Sequence, residues 1–231
     1  MYDDTTKIEF SKTEITGEKE IPGCELEVTD KETGRIMDKW TSSKDKHIVE
    51  GKYVVGKTYM FTEKRPASGF ATAESVEFKI SDTGNIQQVS MKDDTIKIQF
   101  SKIASDTKKL LPGAKYKVLD SKGKKVCEFT TKKKETALNG ILCAGETYTF
   151  VEHQAPKHYK KAKNVKITVK DTGKIQKIKV VDERIPEVPD TPQTGYNKSI
   201  YLYVLALLFG IGMLAKCLNV KNRYRKKQDE E

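Results

Sequence analysis

A twelve-residue stretch occurs twice in this chain, and that repeat constrains the fold more than any other feature. Residues 91–102 read MKDDTIKIQFSK and residues 1–12 read MYDDTTKIEFSK, identical at nine of twelve positions. Self-similarity at a fixed spacing marks an array of similar units, so the unit is settled before any local assignment. Lys12 and Lys102 lie 90 residues apart, as do Pro22-Gly23 and Pro112-Gly113. Gly51/Gly140, Tyr59/Tyr148, Glu63/Glu152, Phe70/Tyr159, Asp82/Asp171 and Asp93/Asp182 lie 89 apart, so one deletion near residue 125 separates the two registers. The expected layout is a sandwich over 5–94, a second over 95–183, and residues 1–4 as the end of a further repeat upstream.

Inside each unit the apolar residues alternate. Ile8 and Phe10 flank Glu9, Tyr59 and Phe61 flank Met60, and Val165, Ile167 and Val169 repeat the pattern in the second unit. Period two over short runs, broken by turns such as Asp82-Thr83-Gly84 and Asp171-Thr172-Gly173, predicts antiparallel strands. About seven strands in roughly ninety residues suit an immunoglobulin-like or transthyretin-like β-sandwich, so the fold class is all-β with two tandem sandwiches.

Composition limits what such units can do. Hydrophobic residues make up only 36% of the chain, and the net charge is +10. That excess could attract nucleic acid or an anionic polymer, but no aromatic-rich basic motif accompanies it, so solvated lysines on strand faces and no nucleic-acid partner are expected. The four cysteines, Cys24, Cys127, Cys143 and Cys217, form no CxxC or paired framework. A Cys127–Cys143 bridge stays open, and Cys24, aligned with Ala114, reads as a small core residue. His47, His153 and His158 lack metal-ligand spacing, and His153 and His158 read as loop residues. No cofactor and no metal site are expected. No signal peptide follows Met1.

After residue 183 the composition shifts. Pro186, Pro189 and Pro192 recur every three residues, the period of a polyproline II linker, over 184–195. An uninterrupted apolar run follows at 200–215. Its 16 residues reach about 24 Å, short of a ~30 Å hydrocarbon core, so a transmembrane helix requires extension over 199–220 with Lys216 snorkelling. The basic segment 221–231 would then be cytoplasmic.

Two sets of motifs resemble known families. Thr191, Pro192, Gln193, Thr194 and Gly195, then the apolar run and basic tail, resemble the cell wall sorting signal of Gram-positive surface proteins, with Thr191 where the usual motif has Leu. That resemblance implies a sortase cutting between Thr194 and Gly195 and joining Thr194 to a peptidoglycan precursor. The two repeats resemble SpaA/CnaB-type domains of Gram-positive pilins and adhesins, which have a prealbumin-like fold. The marks are Phe10-Ser11-Lys12 and Phe100-Ser101-Lys102, the glutamate-bearing segments 62–70 and 151–159, and the closing Met91-Lys92-Asp93 and Val180-Val181-Asp182.

The family resemblance implies an intramolecular isopeptide bond in each repeat, with triads Lys12–Glu63–Asp93 and Lys102–Glu152–Asp182. The chemistry is sound on general grounds. An apolar core favours a neutral, nucleophilic amine and a protonated, electrophilic acid. A glutamate between them shuttles protons, and proximity supplies most of the acceleration. Phe10, Phe61 and Phe78 would wall the first site, and Phe100, Phe150 and Ile167 the second. Asp94 remains an alternative acceptor beside Asp93. By the same alignment Asp3 is an orphan acceptor for a lysine in an upstream repeat. The function expected is a wall-anchored stalk at a Gram-positive cell surface, not a turnover enzyme. Alternatives are an adhesin or minor pilin binding a host or matrix ligand, and a membrane-anchored hydrolase using Glu63 or Glu152.

Overall fold

The computed structural model describes residues 5–187 and 198–228. Asp3, residues 1–4 and the motif at 191–195 lie outside the described residues. The chain divides into two compact units, Met1–Ile185 and Pro186–Glu231.

The first unit holds two β-sandwiches. In the first, β1 (Lys7–Glu14) lies between β4 (His47–Glu50) and β7 (Ile86–Asp93). The facing sheet runs β3 (Ile36–Thr41), β2 (Glu25–Asp30), β5 (Thr58–Arg65), β6 (Val76–Lys79). The second sandwich repeats this plan. Its β8 (Lys97–Ala104) lies between β11 (Thr136–Ala137) and β14 (Ile175–Asp182). The order β10 (Lys125–Thr130), β9 (Lys115–Leu119), β12 (Thr147–Gln154), β13 (Val165–Thr168) makes the other sheet.

Period-two alternation sets each core. The buried positions of β1, β5 and β7 are every second residue, and these stripes face one another between the sheets. Ile8, Leu26, Val28, Tyr59 and Phe61 fill the first core, and Ile98, Ala114, Tyr116, Val118 and Phe150 the second. Cys24 is fully buried in the first core, as its alignment with Ala114 requires.

Two expectations about the sandwiches need correction. The strands were expected to be antiparallel, but β1 pairs β7 in parallel over eight residues, and β8 pairs β14 likewise. A first and last strand joined through the whole sandwich need no hairpin between them, so nothing forces them antiparallel. Second, His153 lies on β12 rather than in a loop. It occupies the outer-facing position beside buried Glu152, which a turn-based reading misses. Cys127 and Cys143 are both free.

The second unit contains α1 (Lys198–Gln228). Among the described residues no helix is long and apolar enough to cross a membrane, so the span expected over 199–220 is not borne out. The uninterrupted apolar run is 16 residues, about 24 Å of helix, which falls short of the ~30 Å core.

Candidate functional site

Each sandwich buries one lysine, one glutamate and one aspartate. The strand pattern explains how. On β1 the inward stripe runs Ile8, Phe10, Lys12; on β5 it runs Tyr59, Phe61, Glu63; on β7 it runs Val89, Met91, Asp93. Three apolar stripes therefore each end on a charged residue, and the parallel register of β1 and β7 brings Lys12 opposite Met91, two residues from Asp93. The second sandwich does the same with Ile98, Phe100, Lys102, then Tyr148, Phe150, Glu152, then Ile178, Val180, Asp182. All six charged residues are at most 4% exposed.

In the first site Lys12 Nζ contacts Asp93 Oδ1 and lies 3.1 Å from Glu63 Oε1. Glu63 is held by its other oxygen, which accepts the Ala73 N–H at 2.7 Å. Phe10, Phe61 and Trp40 pack together beside the lysine, with ring centroids 5.1–5.5 Å apart. Burial, followed by the negative charge of Glu63, pushes the Asp93 carboxyl up to about 6, against the pull of Lys12.

The second site has the same frame and one extra ligand. Lys102 Nζ contacts Asp182 Oδ1, donates to Glu152 Oε2 at 2.9 Å and donates to the Tyr116 hydroxyl at 2.7 Å. Glu152 Oε2 also accepts the Ala162 N–H at 2.7 Å, which leaves Oε1 without a hydrogen-bond partner. Burial raises the Asp182 carboxyl above its usual range, and the neighbouring glutamate adds to the rise. Leu26 stands at the Tyr116 position in the first sandwich, so the hydroxyl is specific to the second. Tyr116 lies in the buried phase of the alternating strand β9, and its pairing with Lys102 leaves no separate sequence signal.

The sequence-predicted residues are thus brought together, with Asp93 rather than Asp94 at the lysine. Asp94 instead pairs with Lys97 at 2.7 Å and packs over Gly173. Phe78 meets Phe10 edge-on in the first aromatic cluster, and Trp40 was not anticipated. In the first site Cys24, Glu63 and Asp93 offer ligand atoms within 4.8 Å of one another, a spacing that suits a metal ion. Lys12 Nζ already lies against both carboxylates, so a metal cation would have to displace an ammonium. Burial also pushes the Cys24 thiol up to about 11, which disfavours the thiolate that would ligate it.

Residues 6–95 and 96–184 each match the SpaA family, described as a prealbumin-like fold domain. No curated protein matches the chain. Among solved structures, the Bacillus anthracis TIE protein is similar at 20% identity and a TM-score of 0.46, over 78% of this chain and 34% of that one. This chain thus spans about a third of that protein's length. Shaft pilin SpaA from Lactobacillus rhamnosus GG is similar at 16% identity and a TM-score of 0.38, over 80% of this chain and 100% of that one. A streptococcal ancillary pilin is similar at 17% identity and a TM-score of 0.38, over 80% of this chain and 64% of that one. The chain belongs to the SpaA family of prealbumin-like fold domains, two of which it carries in tandem.

Proposed function

We propose that the two sandwiches form the stalk of a wall-anchored, pilin-like surface protein, each sandwich locked by an isopeptide bond. The bonds join Lys12 to Asp93 and Lys102 to Asp182. The observation that carries this reading is the buried lysine–aspartate contact with a glutamate beside it, repeated at matched positions in both units. The chemistry follows from the geometry. The neutral amine attacks the protonated aspartate carboxyl carbon; a C–N bond forms, a C–O bond breaks and one water leaves. The glutamate takes the proton from the amine and returns it to the departing oxygen. The carboxylates are enclosed in the core, not open to solvent, which argues against a hydrolase.

Intact mass tests the bonds. The chain should weigh two waters less than its sequence, and protease digestion should yield branched peptides joining Lys12 to Asp93 and Lys102 to Asp182. A chain of full sequence mass overturns the reading.

The second site adds a prediction of its own. Tyr116→Phe removes the hydroxyl that accepts from Lys102 Nζ at 2.7 Å and aims the amine at Asp182, so the Lys102–Asp182 bond should form at least about tenfold more slowly after synthesis. The first bond should form at its normal rate. Equal rates in wild type and variant would show that the hydroxyl only fills space.

Anchoring rests on the order of Pro192, Thr194 and Gly195, the apolar run and the basic tail. Thr194 should be recovered joined to wall peptide, with residues 195–231 absent. Protein released from cells with residues 195–231 still attached would defeat the sortase reading and leave the stalk reading intact.

A further inference from the structure

The two sandwiches meet through a loop of the first that plugs into an end of the second. Gly69 sits so close to Gly140 that a Cβ on it would lie 2.3 Å from the Gly140 carbonyl oxygen. Ala71 is buried within the core cluster of the second sandwich, and the Thr72 N–H donates to Asp171 at 2.8 Å. Ser68 Oγ reaches Cys143 Sγ at 3.2 Å. Asp94 covers Gly173 from the connecting strand, where a Cβ would fall 1.9 Å from its carboxylate. The receiving face therefore consists of Gly140, Cys143, Ala144, Asp171 and Gly173.

The first sandwich carries the same face at its opposite end, with no loop seated in it among the described residues. The matching residues are Gly51, Val54, Val55, Asp82 and Gly84. The backbone agrees: Gly51 and Gly140 have φ of 65° and 68°, and each donates its N–H to the strand beside it, to Thr6 and Ile96. Val54 and Val55 are 55% and 43% exposed, two adjacent apolar side chains on a highly charged surface. Asp82 and Gly84 are exposed, whereas Gly173 is half-buried.

The far end of the second sandwich carries no matching plug. His158 replaces Gly69, at a left-handed φ of 67° against 87°, and Lys160 and Lys161 replace Ala71 and Thr72. A side chain where Gly69 stands would strike the socket backbone. Tyr159 and Arg184 instead turn onto Asp106, at 3.0 and 3.4 Å. A second copy of this chain therefore has no free plug to offer: one is already seated and the other is blocked by His158.

We propose that the Gly51–Val54–Val55–Asp82–Gly84 face is a docking socket for another prealbumin-like domain joined in line ahead of Thr5. The partner loop must carry glycine at the Gly69 position and small residues around it. Docking is head-to-tail and one-directional, because among the described residues only the end at Thr5 is receptive. This holds whether or not the isopeptide bonds form.

The test joins an extra copy of residues 5–94 directly ahead of Thr5 of the full chain, with isotope label in the added copy. The Thr72 amide of that copy should then be protected from hydrogen exchange within about threefold of the native Thr72, by donating to Asp82. Gly69→His in the added copy should speed its exchange at least about tenfold. His158 shows that the fold accepts histidine at that φ. Asp82→Ala in the receiving sandwich should have the same effect without touching the native junction. A Thr72 amide in the added copy that exchanges equally fast with and without Gly69→His overturns the proposal. So does a self-associating, unmodified chain whose dimer is lost with Val54→Lys, because the occupant would then be a second copy.

Discussion

A chain carrying both Glu63→Ala and Glu152→Ala should have the full mass of its own sequence and should unfold at a much lower temperature than wild type. Each proposed bond closes a loop between residues 81 or 80 apart in sequence. In the chain-entropy account a cross-link over such a loop is worth about 4.5 kcal/mol. For a domain of about ninety residues that corresponds to a fall of roughly 20–35 °C. The single variants separate the two sandwiches. Glu63→Ala should leave a one-water deficit and destabilise only the first, so melting should split into an early and a late transition. Glu63→Gln controls for packing, since its amide oxygen still accepts the Ala73 N–H while it can no longer shuttle a proton. It should be unlinked too. A two-water deficit persisting in the double alanine variant would show that the glutamates do not drive the bond.

The proposed cross-link would also change the electrostatics of the core. Before it forms, each sandwich encloses an ammonium and two carboxyl groups, and burying such charges costs several kcal/mol per ion unless they are well paired. The rise of Asp93 to about 6 is that cost expressed in one group. Amide formation removes the lysine charge and the aspartate charge together, leaving an uncharged amide beside the glutamate. The site is therefore destabilising as an ion cluster and stabilising as a bond. That asymmetry would favour the linked state under the proposed function.

The site was legible in the sequence for the same reason. Lys12, Glu63 and Asp93 each fall where an alternating strand calls for an apolar residue, and the repeat places Lys102, Glu152 and Asp182 in the same phase. A charge in the buried phase of three separate strands is hard to reconcile with a solvated surface. What the sequence could not show was contact across the sheet. The parallel pairing of β1 with β7 depends on a connection through the whole domain, and periodicity carries no strand direction. Trp40 sits on β3, whose alternation is too weak to mark an inward face. Ala71 lies outside every strand, and the core it joins belongs to the neighbouring sandwich. For the apolar run at 200–215 the length argument pointed both ways, and among the described residues no helix is long and apolar enough to cross a membrane.

Under load the wild-type chain should not lengthen by unfolding, and this separates a stalk from an ordinary pair of sandwiches. Force applied between residues 5 and 94 enters β1 at one end and leaves β7 at the other, across eight register pairs of parallel strand. Without a bond those pairs shear and the chain between Lys12 and Asp93 pays out. Those 81 residues extend to about 270 Å, and the second sandwich releases a similar length. With the bond, tension passes from Lys12 to Asp93, along Asp94 and Thr95 into β8, and from Lys102 to Asp182. The enclosed residues carry none of it. Single-molecule stretching should then show no unfolding step for wild type, one step of about 250 Å for Glu63→Ala, and two for the double variant. Steps of that size in the wild-type chain would mean that the lysine–aspartate contacts are ion pairs only, and that force passes through the sheets.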